Sequence, residues 1–106
     1  MSEMKIWDLH MHFNGPLDEN SAKGMMQLAE SIAEEPGVVW KIWTHEAGTA
    51  HFGSTYLFRD LAALETYKAM HLERLAAFGI TEITDHVFDI MEDLSTVTHA
   101  PLSAAQ

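Results

Sequence analysis

The chain has 106 residues, 47% of them apolar, and a formal net charge of −10 with only six Lys and Arg residues. This composition predicts a single folded domain spanning residues 1–106. The scarcity of basic residues argues against nucleic acid or an acidic membrane surface as a partner, and no apolar run reaches the roughly 20 residues of a membrane span. The absence of cysteine excludes disulfides and thiolate sites. Because the N-terminal residues do not form a signal-peptide pattern, a cytoplasmic location is expected.

Periodic apolar residues predict secondary-structure elements in the order βαββαβ. Alternating residues indicate strands, and apolar residues spaced three or four apart indicate helices. The turn-forming segments Asn14-Gly15-Pro16 and Pro36-Gly37 mark two of the breaks. In chain order, the predicted segments are a strand Lys5–Asn14, a helix Asp18–Glu35, a strand Val38–His45, a hairpin loop Glu46–Ala50, a strand His51–Phe58, a helix Asp60–Gly79 and a strand Glu82–Met91. No element is predicted for the tail after Glu92.

The same alternation assigns side chains to the two faces of each strand. In the first strand, Trp7 and His10 fall on opposite faces. In the second strand, Val38 and Trp40 are expected to share one face, with Trp43 on the other. The apolar stripe predicted for the first helix consists of Ala22, Met25, Leu28, Ala29 and Ile32.

The predicted helix Asp60–Gly79 carries the most informative pattern in the chain. Asp60 is a favourable N-cap and Gly79 a favourable residue after the C-terminus, so both ends are marked. His71 lies in the middle of its apolar stripe. This residue is either a core histidine whose nitrogens are satisfied by neighbours or the working group in a pocket. The residues of the stripe are Leu61, Leu64, Tyr67, His71, Leu75 and Phe78.

The order βαββαβ predicts an α+β, ferredoxin-like fold. Both helices should pack on one face of a four-stranded antiparallel sheet, and right-handed crossovers should place the first and third strands in its centre. The strands carry large side chains on both faces, as in the pairs Trp40 and Trp43 or Tyr56 and Leu57. Since a soluble monomer seldom leaves an aromatic sheet face bare, we expect a two-fold homodimer that buries sheet against sheet.

Short segments spread over nearly the whole chain carry a resemblance to a known family. They are Phe13-Asn14-Gly15-Pro16, Ala29-Glu30-Ser31-Ile32, Glu35-Pro36-Gly37, Trp40-Lys41, Trp43-Thr44, Tyr56-Leu57-Phe58, His71, Arg74-Leu75, Gly79 and Val87-Phe88-Asp89. In these segments the chain resembles the YdhR-like mono-oxygenases of the dimeric α/β-barrel superfamily. The resemblance implies a small-molecule pocket inside each protomer, between the sheet and the helices, with His71 facing it from the second helix. The loop from His45 to Phe52 departs from the family pattern, which leaves the substrate open.

The resemblance also implies an activity, the cofactor-independent mono-oxygenation of small aromatic or quinol-like compounds. In that chemistry a deprotonated phenol passes an electron to dioxygen without metal or flavin. His71 is the expected base, because burial would keep the imidazole neutral and able to accept a proton. Tyr56 is expected to donate a hydrogen bond to the oxyanion, as could Tyr67; plain core packing is the alternative for each aromatic residue. The residues expected to bind substrate are His10, Phe13, Trp40, Trp43 and Tyr67.

Other roles for the histidines are open at this point. His10 and His12 form a His-x-His pair that would hold a metal if His86 supplied a third ligand. His71 could instead be the axial ligand of a haem, although the few Lys and Arg residues leave no evident basic cluster for its propionates. The histidines expected to be exposed are His45, His51 and His99.

Two further functions compete with mono-oxygenation. A cyclase or isomerase of the same superfamily would use the histidine as a base without consuming oxygen. A non-catalytic dimer would bind a small hydrophobic or aromatic molecule and release it unchanged. Oxygen uptake separates the first possibility from both of these.

Overall fold

The computed structural model describes residues 3–15, 18–80 and 82–102. In this part of the chain, four strands and three helices follow one another as β1 Lys5–His12, α1 Glu19–Ala33, β2 Val38–His45, β3 His51–Phe58, α2 Leu61–Ala77, β4 Ile83–Asp89 and α3 Glu92–Val97. The predicted order is confirmed, and β2 and β3 have the predicted bounds. β1 ends at His12 rather than Asn14, and α3 was not predicted. Pro16 of the predicted first turn lies outside the described residues.

The strands form one antiparallel sheet in the order β2-β3-β1-β4, so β1 and β3 are central, as predicted. α2 packs on β1 and β3, and α1 packs on β2. We call the face that carries Trp7 and Tyr56 the helix-covered face, because both residues belong to a buried cluster with helix residues. The opposite face, which carries His10, is the open face. The buried cluster consists of Trp7, Leu9, Ile32, Tyr56, Phe58, Leu64, Tyr67 and Leu75.

α2 begins and ends where its capping residues predict. The Asp60 carboxylate accepts a hydrogen bond from a backbone amide of the first turn at 2.8 Å. Gly79 follows the helix with φ of +80°, in the left-handed region that glycine enters without strain. The stripe is shorter than predicted, because Leu61 and Phe78 are exposed and only the middle turns lie against the sheet. In α1 only Ile32 is buried, and no helix of the described residues is long and apolar enough to cross a bilayer.

A β-bulge early in β2 changes the predicted assignment of side chains to faces. The register shifts between Val38 and Trp40. The prediction that these two residues share a face is therefore wrong, because one extra residue interrupts the two-residue period. After the bulge, Lys41 pairs with Tyr56 and lies on the helix-covered face together with Trp43, whereas Trp40 lies on the open face.

The C-terminal tail contacts the open face of the sheet. Trp40 Nε1 donates a hydrogen bond to the carbonyl oxygen of Pro101 at 2.7 Å, and Leu57 on the same face is fully buried. Ile42 and Phe88, also on this face, remain 53% and 48% exposed. The sheet-to-sheet dimer stays a prediction, and these two apolar side chains are among those that it would cover.

Candidate functional site

His71 projects from the middle of α2 into the aromatic core. The residue is 1% exposed. Its ring centroid lies 5.1 Å from that of Tyr67, 6.2 Å from that of Trp7 and 6.3 Å from that of Tyr56. Tyr67 is one helical turn earlier and stacks on the imidazole with an interplanar angle of 21°. The stripe therefore places His71 among buried aromatic rings.

Arg74 fixes the protonation of this imidazole. Its Nη2 lies 2.9 Å from His71 Nδ1, and since a guanidinium only donates hydrogen bonds, Nδ1 is the acceptor. The neutral ring then carries its hydrogen on Nε2. Burial, followed by the charges of Lys41 and Arg74, lowers the pKa of His71 to about 3. The imidazole is thus neutral at physiological pH, as expected, but its basic nitrogen is occupied and its other nitrogen is a donor.

Lys41 brings an amino group to the same cluster from β2. Its Nζ lies 3.6 Å from the centroid of the Trp43 ring and 4.6 Å from that of Tyr56. Burial and then the charge of Arg74 lower the pKa of Lys41 to about 7. A large share of the molecules therefore carries a neutral amine at neutral pH. No sequence pattern indicates this role, because a lysine in a strand usually faces water.

Tyr56 and Tyr67 complete the group of side chains around His71, which we call the cluster and which also contains Lys41, Trp43 and Arg74. Their hydroxyl oxygens lie 3.0 Å apart, and Arg74 Nη2 approaches the Tyr67 hydroxyl oxygen at 3.5 Å. Burial is the largest cause that raises the pKa of both tyrosines, so both stay protonated and can donate hydrogen bonds. Of the residues predicted for the site, Tyr56, Tyr67 and Trp43 thus lie in the cluster that contains His71.

The cluster contains two cations, and no carboxylate of the described residues forms a salt bridge with either Lys41 or Arg74. Lys68, by contrast, pairs with Asp85 at 2.7 Å. Arg74 Nε is buried without a hydrogen-bond partner. Two of the six basic residues of an acidic protein converge in the cluster, which only the tertiary structure reveals.

Three residues predicted to bind substrate lie elsewhere. Trp40 and His10 are on the open face, so the sheet separates them from the cluster. Phe13 follows β1 and packs edge-on against Phe52, with ring centroids 6.1 Å apart. Phe52 also stacks on His45, which is exposed as predicted. Within the described residues, no hydrogen bond or ring contact joins Trp40, His10 or Phe13 to His71, and their part in substrate binding stays a prediction.

The open face has a histidine network of its own. His10 Nδ1 lies 2.9 Å from His51 Nε2, and His10 Nε2 lies 3.2 Å from Asp8 Oδ2. His51 Nδ1 in turn lies 3.2 Å from Glu46 Oε1. His51 is therefore only partly exposed, not fully exposed as predicted. No group of three metal-ligating side chains suited to an ion occurs within the described ranges, so His86 does not complete a metal site with His10 and His12.

Two hollows border these regions, and His71 lines neither of them. The larger hollow, of about 670 Å³, lies on the open face and is lined by His10, Met11, His12, His51, Glu82, Ile83 and Thr84. The smaller hollow, of about 290 Å³, is lined by Glu35, Pro36, Gly37, Val38, Phe58, Ala62, Ala63, Thr66 and Tyr67. The apolar pocket expected beside His71 stays a prediction; Tyr67 is the residue shared by the smaller hollow and the cluster.

Comparisons with known proteins agree on the fold and the family. Over residues 6–101 the chain matches the family model described as "Putative mono-oxygenase ydhR". Its fold is similar to a mutant of SnoaB, a cofactor-independent oxygenase from Streptomyces nogalater, with a TM-score of 0.66, 13% identity and coverage of 85% of this chain and 95% of that chain. It is also similar to a protein of unknown function from Nitrosomonas europaea, with a TM-score of 0.60, 17% identity and coverage of 83% and 89%. No functionally curated protein matches the chain.

Proposed function

This chain belongs to the ydhR mono-oxygenase family, and we propose that it is a cofactor-independent mono-oxygenase acting on a small aromatic or quinol-like compound. The observation that carries the proposal is the convergence of basic and hydroxyl groups around His71: Lys41 lies over the Tyr56 ring, and Arg74 contacts both the imidazole and the Tyr67 hydroxyl. Aromatic walls favour a flat substrate. Cations and fixed donors favour its deprotonated form. The fold similarity to a cofactor-independent oxygenase from Streptomyces nogalater supports the same reaction type.

The substrate itself would supply the electrons of this reaction. Loss of a proton from a hydroxyl group leaves an electron-rich anion, which passes one electron to dioxygen. The two radicals combine into a carbon–oxygen bond at a carbon that carries hydrogen. Loss of water, which contains the second oxygen atom, leaves a carbonyl group. Both electrons that reduce this oxygen atom come from the substrate, so the balance requires no external reductant.

In this proposal His71 is a hydrogen-bond donor to the developing oxyanion. The ring is neutral and Arg74 occupies Nδ1, so Nε2–H is the group that it can offer. A base role would first require Arg74 to leave Nδ1. The neighbouring hydroxyls of Tyr56 and Tyr67 stay protonated and are further donors.

The hollow at Tyr67 offers space for a ligand beside the cluster. Its volume of about 290 Å³ is at the lower end of the range for small-molecule pockets. Such a space suits a compound of one or two rings. A molecule held there would lie against Tyr67, whose hydroxyl connects to Tyr56 and Arg74.

Oxygen-electrode measurements with a panel of hydroquinones and hydroxynaphthalenes test the proposal. We expect uptake equal to the substrate consumed, and a turnover lowered by about 10²-fold or more in His71→Ala. The control is His99→Asn, in the exposed tail, because Asn tolerates the positive φ of this position. No uptake with any compound would reject the oxygenase. Unchanged turnover in folded His71→Ala would remove His71 from the reaction.

Binding without turnover is a second candidate function, and one observation favours it. His71 lines neither hollow, so a ligand in the space at Tyr67 need not reach the imidazole. A protein of this kind would bind hydroquinones tightly in calorimetry and consume no oxygen. A cyclase or isomerase would also consume none, but it would change the absorption spectrum of its substrate.

We also propose that the protein works as a homodimer joined through the open face. The support for this proposal is the exposure of Ile42 and Phe88 on that face, since soluble monomers seldom leave large apolar side chains exposed on a sheet. The catalytic cluster lies on the opposite side of the sheet. Each protomer would therefore keep its own site.

A further inference from the structure

The occupied imidazole leaves the site without an evident base, and Lys41 is the group placed to supply one. We propose that the neutral amine of Lys41 takes the proton from an acidic hydroxyl of the substrate, and that Arg74 holds the oxyanion formed. The substrate class is therefore a small, flat hydroxyarene or enol that ionises near neutral pH. This inference rests on the proposed function for the oxygenation that follows, but the proton transfer itself can be tested without turnover.

The position of Lys41 carries the first step of the argument. The bulge in β2 puts Lys41 and Trp43 on the helix-covered face. There Nζ lies between two aromatic rings, 3.6 Å from the Trp43 centroid and 4.6 Å from the Tyr56 centroid. Trp43 is 39% exposed, so a ligand can approach the amine from solvent along this indole. A flat molecule placed there would find an aromatic wall and the amine together.

The charges around Lys41 carry the second step. Tyr56 faces the amine from β3. From α2, the charge of Arg74 lowers the pKa of Lys41, and the charge of Lys41 in turn lowers the pKa of His71. The negative charge of Glu35 acts on Tyr67, whose pKa it helps to raise. No carboxylate in the described ranges bonds to the amine. Burial and Arg74 therefore hold the pKa of Lys41 at about 7, where the amine accepts protons readily.

Arg74 carries the third step. Its Nη2 is committed to His71 and, at longer range, to Tyr67. Its Nε is buried and donates to nothing. A buried N–H without an acceptor is unfavourable, and an anionic oxygen is the acceptor that a guanidinium binds best. The structure thus offers an unused donor on the guanidinium whose charge acts on the amine.

The proton transfer balances within the site. The substrate O–H bond breaks and its electron pair stays on oxygen. The proton forms a new N–H bond at Lys41 Nζ, which converts the neutral amine to an ammonium ion. The ammonium and guanidinium groups then face the oxyanion. Its negative charge compensates the positive charge of Arg74, which had disfavoured protonated Lys41. The proton leaves Lys41 when water is formed after oxygen transfer.

4-Nitrophenol tests the transfer without any oxygenation, because its ionised form absorbs at longer wavelength than its neutral form. We expect the bound compound to show the phenolate band at a slightly acidic pH at which the free compound is mainly neutral. Lys41→Met should abolish this band. Lys23→Met, which removes an exposed lysine of α1, should leave it unchanged. A phenolate band that persists in folded Lys41→Met would overturn the proposal.

Lys41→Arg separates charge from proton transfer and also serves if Lys41→Met does not fold. The arginine keeps a cation and should keep the phenolate band, but it cannot act as a base. With a substrate that is turned over, kcat/KM of the wild-type protein should rise with pH through about 7, as the amine becomes neutral. In Lys41→Arg this rise should disappear and kcat should fall about 10²-fold. Full turnover in Lys41→Arg would overturn the proposal. A phenolate band without oxygen uptake would reject the oxygenase and leave this inference standing.

Discussion

The two faces of the sheet use histidine in opposite ways. On the helix-covered face, His71 is enclosed by aromatic rings and receives a hydrogen bond from a guanidinium. On the open face, His10 and His51 contact each other. His10 also contacts the carboxylate of Asp8, and His51 contacts that of Glu46. Burial and the nearby cations keep the imidazole of His71 neutral. The side with unpaired cations is therefore the side suited to binding an anion.

The tryptophans follow the same division. Trp7 is fully buried on the helix-covered face, and its Nε1 donates to Asp85 Oδ2 at 2.7 Å. Trp40 lies on the open face and donates to the carbonyl oxygen of Pro101 at 2.7 Å. Both indoles thus have a satisfied N–H group. They differ in how much apolar surface the folded protein removes from water, and this difference determines their contribution to stability.

Replacement of these two tryptophans should give the largest difference between the faces. Trp7→Ala should lower the free energy of unfolding by about 3–5 kcal/mol, because it leaves a cavity among packed rings. Trp40→Ala should cost less, roughly 1–2 kcal/mol, since its site can refill with water. Urea titrations of both variants measure the difference. Equal losses would mean that the open face is packed as tightly as the core.

Acid should destabilise the protein through His71. Its pKa falls to about 3 in the folded chain from roughly 6.5 in an unfolded one. Between these values the unfolded state binds more protons, so stability is complete above about pH 6.5 and declines as the pH falls toward 3. The loss should be on the order of a few kcal/mol. His71→Gln keeps an acceptor for Arg74 but does not titrate, and it should flatten this part of the stability curve measured by urea titration at several pH values.

Lys41→Met should stabilise the folded protein while it removes activity. The pKa of Lys41 is lowered to about 7, so the buried ammonium destabilises the folded state at neutral pH and below, and less as the pH rises. Methionine fills similar space without a charge, and a gain of about 1 kcal/mol is expected, largest in acid. Thermal unfolding at pH 6 and pH 9 tests the sign. A loss of stability would mean that the contact with Trp43 outweighs the cost of burial.

Much of the fold could be predicted because its signals are local. Asp60 marks the start of α2 by the carboxylate that caps it, and Gly79 marks the end by its left-handed backbone. Alternation alone gave the bounds of β2 and β3. The bulge between Val38 and Trp40 was missed because no glycine or proline marks it, and one inserted residue changes every later face assignment. The contact of Trp40 with the tail spans 61 residues, which no local pattern records.

The candidate site was only half predictable for the same reason. The stacking of Tyr67 on His71 follows from helical spacing, and so does the approach of Arg74, three residues further along, although its role was missed. The convergence of Lys41 with these residues depends on how β2 lies against α2. The absence of a carboxylate partner for either cation within the described residues is a property of the whole arrangement. It therefore cannot be deduced from spacing along the chain.

The smallest change in folding stability but the clearest change in assembly should come from the open face. Ile42 is 53% exposed there, so Ile42→Lys should alter the free energy of unfolding of a single protomer by no more than about 0.5 kcal/mol. In a sheet-to-sheet dimer, however, it would bury a charge from each protomer in the interface and should release monomers in sedimentation velocity. Met26→Lys is the matched control, because Met26 is 63% exposed on α1, on the opposite side of the sheet. If Met26→Lys released monomers and Ile42→Lys did not, the protomers would meet through their helices, and the open face with its histidine network would be the surface left to solvent.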